Sequence, residues 1–271
     1  MIITDGLIEY RGEAKTAARE NCQGAPFLVV ALDVPDAEQA NGIAERLSGI
    51  PIWVKVGLEL FTAEGPSLVR QLRQKRLPLF LDLKFHDIPN TVFGAISSVC
   101  SLGVQMTTLH ISGGDEMCRA AVAAREEARA KKSGQTGNAS VYAVEGREGP
   151  LLLGITVLTS QSGDPAEITA LVRERALVAK RCGLDGVVCS GHEAAMVKEA
   201  CGKDFLCLCP GIRFADARQG ANDDQARVCT PAQAVAAGAD FLVMGRPIVK
   251  AEDPAAAARK ACEDMRTAFY L

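Results

Sequence analysis

Four charged residues in two short segments could do chemistry together: Lys55 in WVKVG, and Asp82, Lys84 and Asp87 in DLKFHDIPNT. Asp82 and Lys84 are two residues apart, so in a regular strand both side chains point to one face. A single DxK pair in a strand is open to a plain reading as a buried salt bridge. Burying ions is costly unless they are fully paired, and Lys55 and Asp87 add further charge of both signs nearby. Four alternating charges gathered in one place look like a reaction centre. Pro89 resists continuation of the strand, so Asp87 is expected on a loop, with Asn90 or Thr91 starting the next helix. There its carboxylate can accept hydrogen bonds from sugar hydroxyls.

A second group lies near the C-terminus. MGRPIV offers a glycine, Gly245, whose backbone a ligand can approach closely, and a forked donor, Arg246, suited to phosphate oxygens. PGIRFADARQGANDDQAR supplies Arg213 and a long loop able to cover a bound molecule. Of the three histidines, His110 is expected at a strand end as a hydrogen-bonding wall, and His192 in a solvent-facing or cap position. His86 lies past the end of its strand, and its direction is open. No HxH or Cys/His cluster has metal-site spacing, and neither a GxSxG elbow nor a Walker loop occurs.

These residues need a scaffold, and the chain has a clear rhythm. Eight apolar runs cover residues 27–34, 52–57, 77–85, 105–112, 151–159, 186–190, 205–212 and 241–246, each followed by helical spacing of apolar residues. Between them, Ile43 with Leu47, and Val92, Ile96 and Val99, fall on single helical faces that end near glycines. Runs apolar on both faces and joined by helices mean parallel strands. A doubly wound open sheet would serve as well as a barrel on periodicity alone. The polar residues at successive strand ends decide for the barrel: Asp33, Lys55, Asp82 with Lys84, His110 with Ser112, Thr159, Ser190, Arg213 and Arg246. Spread over every strand, they match a site on the C-terminal rim of a single (β/α)8 TIM barrel, whereas an open sheet gathers its site near one crevice. The barrel is expected over residues 25–271, with an N-terminal extension at 1–24 and a polar insertion at 131–149 to which no chemistry is assigned.

With 271 residues, 48% hydrophobic and 5% aromatic, the chain can bury one large, mostly aliphatic core. The formal net charge of -3 gives no basic field for nucleic acid or an acidic membrane, so the partner is expected to be a small molecule. No apolar run reaches the length of a membrane span, and the first residues lack the basic and apolar regions of a secretory signal. The ten cysteines contain no CxxC and sit among aliphatic residues, which suggests reduced thiols in the cytoplasm.

Taken together, ALD (31–33), KVG (55–57), FLDLKFHDIPNTV (80–92), TVLTS (156–160), CGLDGVVCS (182–190), PGIR (210–213) and GRPI (245–248) resemble the orotidine 5′-monophosphate decarboxylase family. A bare DxKxxD is shared with sibling sugar-phosphate enzymes, whereas DLKFHDIPNT is far more specific. The resemblance implies decarboxylation of orotidine 5′-monophosphate to uridine 5′-monophosphate, the last step of pyrimidine nucleotide synthesis. Lys84 would protonate C6 and Asp82 would lie beside the departing carboxylate. Two like charges about 4 Å apart repel by about 4 kcal/mol at an effective dielectric of 20, so either this repulsion or stabilisation of the carbanion by Lys84 would affect the rate. Asp33 and Lys55 would hold the ribose, and Thr159 the pyrimidine. Gln225, Arg246 and the Gly245 backbone would bind phosphate with Arg213 nearby, Gln225 being preferred to Gln219. Ile88 and Pro210 complete the expected substrate contacts. The resemblance further implies a homodimer in which Asp87 and Thr91 reach the partner's site, and neither metal nor organic cofactor. A sibling enzyme working through a metal-stabilised enediolate, and a non-catalytic nucleotide-binding barrel, are the competing readings.

Overall fold

The computed structural model describes residues 26–133, 149–158, 160–161, 163–215 and 229–270. All eight apolar runs become strands: β1 (Phe27–Ala31), β2 (Trp53–Gly57), β3 (Leu79–Phe85), β4 (Met106–His110), β5 (Leu151–Ile155), β6 (Gly186–Val188), β7 (Leu206–Cys209) and β8 (Phe241–Met244). They pair in parallel and in chain order, and β8 returns to β1 to close the barrel. Closure removes the open-sheet alternative. Most strands are shorter than the runs that predict them, as where β7 stops before Pro210.

Strand periodicity sorts the side chains into two layers. Phe27, Val29 and Ala31 of β1, Trp53 of β2, Phe80 of β3, Met106 of β4 and Phe241 and Val243 of β8 pack inside the barrel. Their neighbours, such as Leu28, Val54, Leu81, Leu109 and Leu242, face outward into a larger core shared with the helices. On the first four strands each inward column starts apolar at its foot and ends polar at its top. Thus Trp53 is followed by Lys55, Phe80 by Asp82, and Met106 by Thr108.

The helices are α1 (Ala37–Arg46), α2 (Leu58–Gln74), α3 (Pro89–Leu102), α4 (Gly114–Ser133), α5 (Pro165–Arg181), α6 (Ala194–Cys201), α7 (Pro231–Ala236), the short α8 (Arg246–Val249) and α9 (Pro254–Phe269), with a 3-10 turn at Ile111–Gly113. Asp36, Asp164 and Asp253 cap α1, α5 and α9 by accepting bonds from first-turn N–H groups. One expectation is corrected here: α3 starts at Pro89, with Ile88 in the cap position, rather than at Asn90 or Thr91. Proline's fixed φ and missing N–H suit the first helical position, and β3 has already stopped at Phe85. The helix closes on left-handed Gly103, and Val92, Ile96 and Val99 form its buried face as the spacing predicts. Lys131 to Ser133 continue α4, while 134–148 and the extension at 1–24 lie outside the described residues.

At the feet of alternate strands a side chain takes the place of a ladder bond. Gln105, Asp185 and Asp240, each just before an even-numbered strand, accept the N–H of Leu79, Leu152 and Cys207 on the strand before it, at 2.8, 2.9 and 2.7 Å. Asp185 also pairs with Arg125 of α4, and Asp240 with Lys198 of α6 at 2.6 Å. This end of the barrel is the structural one.

Candidate active site

At the C-terminal mouth the inward columns end in a chain of alternating charges. Lys55 Nζ stands 3.1 Å from Asp33 Oδ1 and 3.7 Å from Asp82 Oδ2, and Lys84 Nζ donates to the same Asp82 oxygen at 2.7 Å. The chain runs from solvent inward: the Asp33 side chain is 55% exposed, those of Lys55 and Asp82 only 11%. Gly57 ends β2 directly beside it, and a Cβ there would stand 3.0 Å from Lys55 Nζ. Any larger residue would press on the ammonium and shift it by a few tenths of an ångström.

Burial by itself would raise the Asp82 pKa. The charges of Lys55 and Lys84, with the bonds from Lys84 and Thr108, outweigh it and hold the carboxyl below the usual aspartate value. The Thr108 hydroxyl donates to Asp82 Oδ1 at 2.8 Å, so both carboxylate oxygens are occupied. His110 is shifted down as well, first by burial and then by the charges of His86 and Lys84, which favours neutral imidazole.

Asp82 and Lys84 meet by a route the simple pleat does not give. Leu81 pairs with Thr107 and Phe85 with Leu109, so Asp82, Leu83 and Lys84 together oppose the single residue Thr108. Lys84 adopts left-handed backbone with φ 52. Such a bulge re-aims side chains and leaves backbone groups outside the ladder. The Lys84 N–H finds its partner in Thr108 Oγ1 at 3.0 Å.

A cavity of about 250 Å³ opens above these charges. It brings together eight of the residues expected from the sequence: Asp33, Lys55, Asp82, Lys84, Pro210, Arg213, Gly245 and Arg246. Asp87, Ile88 and Thr91 do not join them within one chain; they are exposed around the start of α3. Thr159 and Gln225 lie outside the described residues. His110 ends β4 as expected but stands beside His86, ring centroids 5.3 Å apart, and is not part of the cavity wall. His192 is exposed just before α6.

Sequence reasoning missed two sets of residues. Phe80, Ile155, Val188, Leu208 and Val243 form an apolar floor and wall in the cavity. Their signal was their place near the C-terminal end of each inward column, as Phe80 stands below Asp82 and Val188 below Ser190. Thr108 was the other omission, although it lies two residues before His110 and so shares its face. Among the described residues no group of three or more His, Cys, Asp and Glu is placed to hold a metal ion. Nor is any described helix long and apolar enough to cross a membrane.

An ion-paired lysine over an apolar floor, with arginines across the mouth, defines a (β/α)8 barrel enzyme for a small anionic substrate. A family model described as the orotidine 5′-phosphate decarboxylase / HUMPS family matches residues 26–261, and the chain belongs to that family. An orotidine 5′-phosphate decarboxylase of Maridesulfovibrio salexigens is 49% identical over 246 residues, covering 89% of this chain and 99% of its own. One from Nitratidesulfovibrio vulgaris, strain Miyazaki F, is 46% identical over 261 residues, with the same coverage of both chains. The crystal structure of orotidine 5′-phosphate decarboxylase from Lactobacillus acidophilus superposes with a TM-score of 0.72 at 34% identity, covering 89% of this chain and 99% of that one.

Proposed function

We propose that this chain decarboxylates orotidine 5′-monophosphate to uridine 5′-monophosphate and carbon dioxide without a cofactor, as a cytoplasmic homodimer. The observation that carries the reading is the Lys84 ammonium, held 2.7 Å from the buried Asp82 carboxylate at the base of the cavity. Loss of carbon dioxide leaves an electron pair on C6, in the plane of the ring and poorly delocalised. A fixed ammonium aimed at that carbon stabilises the pair and then gives it a proton, forming the C6–H bond of the product. The neutral amine regains its proton from solvent. Asp82 holds the ammonium in place and adds repulsion against the substrate carboxylate. Because the enzyme fixes these charges before the substrate arrives, little reorganisation is needed at the moment of reaction.

Asp33 and Lys55 serve the ribose, and Thr159 the pyrimidine. Pro210 lines the wall, while Arg246, the Gly245 backbone, Arg213 and Gln225 serve the phosphate. Asp87, Ile88 and Thr91, exposed in one chain, complete the site of the partner subunit. The sibling reaction through a metal-bound enediolate needs carboxylate oxygens free for a cation. Here Asp82 already spends one oxygen on two ammonium groups and the other on Thr108.

The test is the ultraviolet assay for loss of orotidine 5′-monophosphate, run with excess chelator. Undiminished turnover is expected, and a strict requirement for magnesium would overturn the reading. Lys84→Ala is expected to abolish turnover while still binding uridine 5′-monophosphate, as measured by calorimetry.

A further inference from the structure

We propose that Thr108 is a positioning residue for the reaction: its single hydroxyl holds open the β3 bulge and thereby sets Lys84 against Asp82. The inference rests on the proton-donor role of Lys84 proposed above and extends it to a residue outside the cavity wall. Three observations converge on that hydroxyl. Thr108 is fully buried, and its side chain lies where three residues of β3 face one of β4. Its oxygen accepts the N–H of Lys84, a group the bulge has removed from the ladder. The same oxygen donates its proton to Asp82 Oδ1, on the opposite side of the carboxylate from the lysines.

A hydroxyl has one proton to give and lone pairs to receive, so one group satisfies both neighbours only in this orientation. The backbone of Lys84 and the carboxylate of Asp82 are thus tied to a common atom. Positive φ at a residue with a long side chain is strained, and it persists only where its surroundings impose it. Without the hydroxyl, a buried N–H loses its partner and the carboxylate loses a donor, both of which favour relaxation of the bulge. Relaxation moves the ammonium, and a misplacement near 1 Å costs a rate on the order of a hundredfold.

Thr107 supplies the control. It is equally buried and also bonds to β3, donating to the Leu81 carbonyl at 2.7 Å, but it belongs to the outward face. Four chains are compared: wild type, Thr108→Val, Thr108→Ser and Thr107→Val. The readouts are kcat and KM for orotidine 5′-monophosphate and, in ligand-free protein, titration of the Asp82 carboxyl carbon by NMR.

Thr108→Val is expected to lower kcat roughly ten- to a hundredfold with little change in KM, and to move the Asp82 titration upward. Thr108→Ser restores both, while Thr107→Val lowers thermal stability and leaves kcat and the titration in place. Wild-type kcat with an unmoved titration in Thr108→Val overturns the proposal. So does a Ser variant as impaired as Val, or a Thr107→Val chain that loses kcat equally. If Thr108→Val does not fold, Thr108→Cys, with its weaker donor and acceptor, is expected to give an intermediate kcat, and a wild-type value there also overturns the proposal. Should the wild type fail to consume orotidine 5′-monophosphate while the titration still moves upward in Thr108→Val, the functional reading falls and the positioning role stands.

Discussion

Asp82 binds folding and chemistry to one ionisation state. Its carboxyl sits below the ordinary value of 3.8, so the native protein favours the anion more than the unfolded chain does. For a depressed pKa the associated stability is fully present above the unfolded value and is lost as pH falls through the folded one. The contribution is therefore constant through neutral pH and drains away below about 3.8. Comparing urea midpoints of wild type and Asp82→Asn across this range checks the sign. The wild type is expected to be the more stable at neutral pH, with the gap narrowing as both are acidified below the ordinary aspartate value. A gap that widens in acid would contradict the depressed pKa. It follows too that an acidic limb of the rate profile near neutral pH does not come from Asp82.

At the level of strands and helices, the sequence was most informative where one periodicity settled the outcome. The runs around Val29, Val54, Leu81 and Leu242 announce strands because both faces are buried, and each polar residue that ends an inward column marks the rim. The bulge at Asp82 to Lys84 was not readable, since it depends on which residues of β4 stand opposite, a matter of register between strands distant in sequence. Thr108 was missed for the same reason. Its importance comes from facing three residues at once. The start of α3 shows a different limit: Pro89 was read only as resisting continuation of the strand, and its fitness to begin a helix was given to its neighbours. The strand-foot side chains were equally silent in the sequence, and they yield a prediction about stability alone. Asp240→Ala leaves Lys198 buried without its carboxylate and Cys207 N–H without its acceptor. A loss of about 3–5 kcal/mol in urea unfolding is expected, as for other broken buried pairs. The kcat of the molecules that remain folded should not change.

For the molecule as a whole, one chain supplies the charge line and the cavity, but Asp87, Ile88 and Thr91 stand outside that cavity and exposed. If they complete a neighbour's site, two different inactive chains can repair each other. Mixing Lys84→Ala with Asp87→Ala is expected to restore part of the activity, because a mixed dimer holds one site with both residues intact. Mixed dimers verified by mass that stay inactive would refute the shared site.

The side chains at the strand feet carry one more consequence. Gln105 ties β4 to β3, Asp185 ties β6 to β5 and Asp240 ties β8 to β7, so these bonds join strands in twos and none spans from β4 to β5. The polar insertion of the sequence, at 131–149, falls at that same seam, between β4 and β5. Separately expressed halves divided there would each keep their own strand-foot bonds intact. What each lacks is the other's edge, together with the pairings of Arg125 and Asp115 in the first half with Asp185 and Arg181 in the second. Such halves are suited to reassembly into a working barrel, with Arg125 on Asp185 and Asp115 on Arg181 among the contacts by which one half recognises the other.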